Sequence, residues 1–214
     1  MKFTIEDMFR NSFVMTTRDD LYELFKVRFT RNGWPEDLVP KKFIGTYPKP
    51  IMKGKENIQL CTLSHYCLVN MAKTIDLPWI TIFEDDALPI RNGFGILKRF
   101  MLENELPDDA DMVVWGNLEF ISNSEPFLYN PHKKPYGLLR EDIWGAQSYT
   151  IFKKNYDTWL DAMRFWDADT LAADWYSILS ERCYLPIQSF FIQHKASVQH
   201  SEYLVDKENL ILFI

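Results

Sequence analysis

An unbroken run of core-type residues, Trp79-Ile80-Thr81-Ile82-Phe83, stops abruptly on three consecutive acids, Glu84-Asp85-Asp86. A strand with one wet face alternates apolar and polar residues, whereas a continuous run suits a strand covered on both faces. Such strands belong to parallel or mixed sheets with helices on either side. Met112-Val113-Val114-Trp115 is a second run of this kind. Phe13-Val14-Met15-Thr16-Thr17 reads as a first strand, followed by a polar turn and a helix carrying Leu21, Leu24, Phe25 and Phe29 at helical spacing. Asp19 or Asp20 is expected to cap that helix and Asn32-Gly33 to stop it. Phe43-Ile44-Gly45 suggests a short second strand, and the lysine- and proline-rich stretch 47–56 an exposed loop.

Further along, Leu60, Leu63, Cys67, Leu68 and Met71 mark one helical face, and Leu97, Phe100 and Met101 another helix that ends near Pro107. Residues 118–140 read as a long loop or hairpin insertion. No internal repeat or low-complexity tract occurs, and Trp144 to Phe152 reads as a strand leading into a helix over Tyr156 to Phe165. Ala173 to Arg182 is expected to be helical and Ser189 to Ile192 a short strand. Strands alternating with helices define an α/β chain with a mixed central sheet flanked by helices. At 214 residues it fits one domain, with a nucleotide-binding part over about residues 10–116 and an acceptor-side part over about 117–202.

Charge narrows the partners. Lys and Arg number 24 against 30 Asp and Glu, a formal net charge of −6, which argues against a general grip on nucleic acid. The first 56 residues carry 11 basic and 8 acidic side chains, so the acidic excess lies in the remainder. No apolar run approaches the roughly 18 residues that span a bilayer. Acids at Glu6 and Asp7 stand where a signal peptide is apolar, so a cytoplasmic protein is expected. Cys61, Cys67 and Cys183 form no CxxC pair and indicate neither a disulfide framework nor a zinc site; Cys61 and Cys67 are expected to pack as small apolar residues.

The acids after the 79–83 strand carry the chemistry. In an extended chain Glu84 and Asp86 point one way and Asp85 the other. Carboxylates at the carboxyl end of a buried strand lie at the rim where open α/β sheets bind ligands. An all-oxygen cluster suits Mg²⁺ or Mn²⁺, which keep positions open for waters and phosphate oxygens. The alternative is a solvated turn with Asp86 capping the next element. Neither GxGxxG nor GxxxxGK[ST] occurs among only eight glycines, so a nucleotide here would be held through a metal. Thr16 to Asp20 forms a second potential ligand-binding turn.

Leu63-Ser64-His65-Tyr66, a gap of about one helix, and Ile82-Phe83-Glu84-Asp85-Asp86 together resemble glycosyltransferase family 25, the lipooligosaccharide and collagen galactosyltransferase type. Phe13 to Arg18, Trp144-Gly145-Ala146-Gln147-Ser148-Tyr149 and Ala173-Asp174-Trp175 are similar to further segments of that family. The resemblance implies a GT-A-like, Rossmann-type fold. It also implies transfer of a hexose from a UDP-sugar, UDP-galactose or UDP-glucose, to a saccharide acceptor with inversion and commonly with Mn²⁺. Carried onto this chain, it makes Asp86 a metal ligand, sets Glu84 or Asp85 against donor ribose or sugar, and brings Thr16 and Arg18 near uridine or diphosphate. The guanidinium of Arg18 matches phosphate geometry, and a surface pair with Asp20 or Glu23 is its other use.

Ser64 and His65 are expected to meet donor or acceptor hydroxyls, or else to be an ordinary buried pair. Inversion needs a base for the acceptor hydroxyl. Asp174 at a helix start is preferred, and Glu141 and Asp142 compete with it. His200 is the candidate for an additional metal ligand. The resemblance suggests a role in lipopolysaccharide or polysaccharide synthesis, with a lipid-linked acceptor drawing the protein to the inner face of a membrane. Two other readings use the same residues: a saccharide- or partner-binding domain without turnover, and a metal-dependent phosphoesterase, which four histidines and no HxD cluster disfavour.

Overall fold

The computed structural model describes residues 2–46, 55–116, 128–129, 135–139, 147–164, 179–186 and 189–193. Its elements run α1 (Ile5–Arg10), β1 (Ser12–Thr16), α2 (Asp19–Arg31), β2 (Lys41–Ile44), α3 (Lys55–Thr74), β3 (Trp79–Glu84), β4 (Ala87–Pro89), α4 (Gly93–Glu103), β5 (Met112–Gly116), β6 (Leu128–Tyr129), β7 (Tyr136–Leu139), β8 (Ser148–Phe152), α5 (Tyr156–Arg164), β9 (Cys183–Pro186) and β10 (Phe191–Gln193). Eight strands form one sheet in the order β2-β1-β3-β8-β5-β9-β7-β6, and β4 pairs with β10 apart from it. β2, β1 and β3 are mutually parallel, β8 runs antiparallel between β3 and β5, and β9 returns parallel to β5. The protein is thus a mixed α/β sheet flanked by helices, and strands from either side of residue 116 interleave in it.

Both faces of the sheet are covered, which accounts for the unbroken apolar runs. Ile80 and Ile82 of β3 and Met112 and Val114 of β5 face one core, shared with Leu68, Val69 and Ala72 of α3 and Trp159 and Leu160 of α5. Phe83 of β3 and Val113 and Trp115 of β5 face the other, shared with Met8 and Phe9 of α1, Phe25 and Phe29 of α2, and Leu97 of α4. Alternation along each strand therefore sorts its residues between two apolar layers rather than between core and water.

A polar thread ties the three central strands. Trp115 Nε1 donates to Thr150 Oγ1 at 2.8 Å, and Thr150 Oγ1 lies 2.8 Å from Thr81 Oγ1, all three residues being fully buried. At the far side of β5, the chain of β10 passes so close that a Cβ on Gly116 would meet the Phe191 carbonyl oxygen at 2.3 Å. Only a residue without a side chain fits that crossing.

Several details depart from the sequence reading. Arg18, not Asp19 or Asp20, is the N-cap of α2; the two acids occupy its first turn, where they still complement the helix dipole. Leu24 on α2 and Leu63 and Cys67 on α3 are exposed, because the buried stripe of α3 runs instead through Thr62, Ser64, His65, Leu68, Val69 and Ala72. Helix α1 and strand β9 were not anticipated. α1 opens on a capping box in which Thr4 Oγ1 accepts from the Asp7 backbone N–H and the Asp7 carboxylate accepts from the Thr4 N–H. Within 118–140, the described strands β6 and β7 do pair as an antiparallel hairpin, and β7 also joins β9. No helix among the described residues is long and apolar enough to cross a membrane.

Candidate functional site

The chain leaves β1 through α2 to β2 on one flank, then crosses back through α3 to β3 on the other. Strand order reverses at the β1–β3 pair, and the crevice at the carboxyl ends of such a pair is where open α/β sheets bind ligands. Met15 of β1 stands in register with Glu84 of β3, so the two strand ends reach the same rim. A cleft of about 260 Å³ opens there. Thr16 at the end of β1 and Thr17 just beyond it line the cleft, with Glu84 at the end of β3, Asp85 and Asp86 from the turn that follows, and Leu60, Cys61 and Ser64 from α3.

The acid turn is held at both ends. Glu84 donates its backbone N–H to the Gln147 carbonyl beside β8, and Ala87 enters β4, which is clasped by Gln193 of β10. Glu84 continues the parity of Ile80 and Ile82 and faces α3, whereas Asp85 turns towards β1, where Thr16 Oγ1 donates to its Oδ2 at 2.7 Å. The strand ends at Glu84 and residues 85–86 form a turn, and both Asp85 and Asp86 lie in the field of Arg28 on α2. All three carboxylates consequently line one cleft rather than two opposite faces.

Burial is the main force raising the Asp85 pKa above the ordinary aspartate value. The Thr16 hydrogen bond and Arg28 pull it down, and the neighbouring Asp86 pushes it up. A divalent cation between such carboxylates relieves both the desolvation and the mutual repulsion. The donors are all oxygens, which fits Mg²⁺ or Mn²⁺.

Arg18 does not line the cleft; its guanidinium is paired with the Asp20 carboxylate through two contacts of 2.9 and 2.5 Å on the surface of α2. Ser64 does line it, but its hydroxyl is committed to the scaffold, donating to the Leu60 carbonyl and accepting from the Thr46 backbone N–H, each at 2.8 Å. Gly45 permits that contact, since a Cβ there would lie 2.6 Å from Ser64 Oγ. His65 is wholly buried behind the cleft wall, with Nδ1 2.5 Å from the Tyr149 hydroxyl and Nε2 3.4 Å from Glu84 Oε1. Asp174, Glu141, Asp142 and His200 lie outside the described residues.

Cys61 packs against the core, as expected, and in addition reaches the cleft, with Sγ 3.8 Å from Glu84 Oε1. The signal that would have found it is the spacing Cys61-x3-His65, which places both side chains on one helical face.

No protein-family model matches the chain, and no curated protein matches it. Among solved structures it is similar to a glycosyltransferase involved in the glycosylation of the major capsid of PBCV-1, at 8% identity and a TM-score of 0.49, covering 95% of this chain and 98% of that one. It is also similar to A197 from STIV, at 12% identity and a TM-score of 0.38, covering 84% and 81%.

Proposed function

We propose that this chain is a metal-assisted glycosyltransferase that moves a hexose from a UDP-sugar, UDP-galactose or UDP-glucose, to a saccharide acceptor with inversion. The observation that carries the reading is the gathering of Glu84, Asp85 and Asp86 on one cleft at the point where strand order reverses. The resemblance to family 25 read from the sequence would put a donor site on the same residues, in support of this reading.

Asp86, with Asp85 beside it, would hold Mn²⁺ or Mg²⁺, and His200 would add a further ligand. When bound, such an ion supplies positive charge to the diphosphate oxygens as UDP departs. The chain's own residues do the rest. Thr16 fixes the Asp85 carboxylate through its hydroxyl, so the rim is ordered before a donor arrives. Ser64 ties the end of β2 to α3 and thereby sets the width of the cleft. Arg18, released from Asp20, would meet phosphate oxygens. Asp174 is assigned as the base that removes the acceptor hydroxyl proton while that oxygen attacks the anomeric carbon, with Glu141 and Asp142 as competitors. A lipid-linked acceptor would bring the reaction to the cytoplasmic face of a membrane.

The test is UDP release from a panel of UDP-sugars with Mn²⁺, for the wild type and Asp86→Ala. The expected result is metal-dependent release from a preferred donor that falls at least a hundredfold in the variant, as for loss of a group acting on developing charge. Equal release by both proteins removes Asp86 from the mechanism. Calorimetry showing no binding of any UDP-sugar in the presence of Mn²⁺ overturns the whole reading. Donor binding without release points to the domain that binds and does not turn over.

A further inference from the structure

We propose that Cys61, His65 and Glu84 form a second cation site in the same cleft, selective for a thiolate-accepting divalent ion of the zinc class. The inference goes beyond the transferase reading and does not rest on it. Cys61 Sγ, a His65 ring nitrogen and a Glu84 carboxylate oxygen all lie within 4.8 Å of one another. Two separations are already close to the ligand-to-ligand edges of a coordination tetrahedron: Nε2 of His65 to Oε1 of Glu84 is 3.4 Å, and Sγ of Cys61 to the same oxygen is 3.8 Å. Tetrahedral zinc, with bonds of about 2.0–2.1 Å to N and O and about 2.3 Å to S, requires edges of roughly 3.3 Å for N···O and 3.5 Å for S···O. The two edges to Glu84 are thus nearly met, and the third, between Cys61 Sγ and the His65 ring, lies within 4.8 Å and closes to roughly 3.5 Å by rotation of the Cys61 side chain.

The supporting shell is also present. The Tyr149 hydroxyl holds Nδ1 of His65, and the two rings stack at 25° with centroids 5.6 Å apart, which aims Nε2 towards Glu84. Metal-binding imidazoles are ordinarily oriented in this way through the other nitrogen. The three ligands come from two rigid elements, α3 and the end of β3. Cys61 and Glu84 line the cleft while His65 lies behind them, so an ion held here keeps one side open to the cleft. Three protein ligands and one open position is the arrangement of reactive rather than purely structural zinc.

Chemistry separates this site from the aspartates. A thiolate and an imidazole favour Zn²⁺ or Co²⁺ over Mg²⁺ and Mn²⁺, whereas Asp85 and Asp86 offer oxygen alone. Glu84 lines the same cleft as the aspartates, but its carboxylate already faces Cys61 and His65 of α3.

Cobalt is the probe. Metal-free protein is titrated with Co²⁺ alone under a non-thiol reductant, with no nucleotide sugar present, and the thiolate-to-cobalt charge-transfer absorption is followed in the near ultraviolet. The expected result is a band saturating at one equivalent, bleached by Zn²⁺, unchanged by Mg²⁺, abolished in Cys61→Ser and retained in Cys67→Ser. Tyr149→Phe should keep the band but weaken the affinity about 10–100-fold, as for other partners of a ligating histidine. Circular dichroism of Cys61→Ser checks that the fold is intact, and Glu84→Gln, which also should weaken the affinity at least about tenfold, serves if it is not. No band in the wild type, a band that survives Cys61→Ser, or one that disappears in Cys67→Ser alone overturns the proposal. Because no donor is present, these outcomes leave the UDP-release experiment independent.

Discussion

Gly45→Ala tests whether the wall of the cleft is built as a close contact between the end of β2 and α3. The added Cβ would lie 2.6 Å from Ser64 Oγ and 2.9 Å from Ser64 Cβ, while its next neighbour, Met15 Cγ, is at an ordinary 3.6 Å. Ser64 sits on a helix with no long side chain to swing aside, so the backbone has to move. Overpacking of this kind costs about 1–3 kcal/mol. Straining the Ser64–Thr46 hydrogen bond adds about 1 kcal/mol, so a loss of about 2–4 kcal/mol is expected. Ser64→Gly alone should cost about 2 kcal/mol, from the helix propensity of glycine and the lost hydrogen bond. In the double variant both clashing atoms are gone, and the total should stay about 2 kcal/mol rather than reach the sum. The coupling of about 2–4 kcal/mol is read from urea midpoints at constant slope. Additivity of the two changes within about 0.5 kcal/mol would refute the contact.

Other perturbations probe the site and the sheet. Asp85→Asn in the metal-free protein should gain stability relative to the wild type as pH rises. Burial raises the folded-state pKa of Asp85, so the wild type is penalised increasingly from the ordinary aspartate value of 3.8 up through the raised one, and the variant is not. Thermal midpoints of the two proteins measured from pH 4 to pH 7 should diverge in that direction, and parallel profiles would contradict it. Thr150→Val keeps the shape but orphans the Trp115 indole N–H, and should cost about 1–3 kcal/mol in urea unfolding; Trp115→Phe in the same background should add less than it does alone.

What could be read from the sequence was whatever depends on neighbours along the chain. The runs at Trp79–Phe83 and Met112–Trp115 announced doubly covered strands because each of their residues is apolar enough for either core, and both became central strands. β1 and α2 followed from the change of period at Thr16 to Leu21. By contrast, α1 has only six residues and its acids were weighed against a signal peptide rather than as parts of a capping box. β9 has four residues, Cys183 to Pro186, too few to show a period, and takes its conformation from pairing with β5 and β7.

The site shows the same division more sharply. Three adjacent acids are visible to anyone counting carboxylates, but their inequality is not. Strand parity carries Glu84 to the face covered by α3 and Asp85 towards Thr16 of β1, and Asp86 follows in the turn beyond the strand. Each acid thus meets partners that are distant in sequence: Glu84 meets Cys61 and His65, and Asp85 meets Thr16, 69 residues away. A stretch of three identical charges is in this way divided between a nitrogen- and sulfur-bearing wall and an all-oxygen rim. Substituting Glu84 and substituting Asp86 should therefore have different chemical consequences: the first alters thiolate-metal binding, and the second alters Mn²⁺-dependent turnover. One solvated acidic turn, with its three carboxylates interchangeable, would give no such separation.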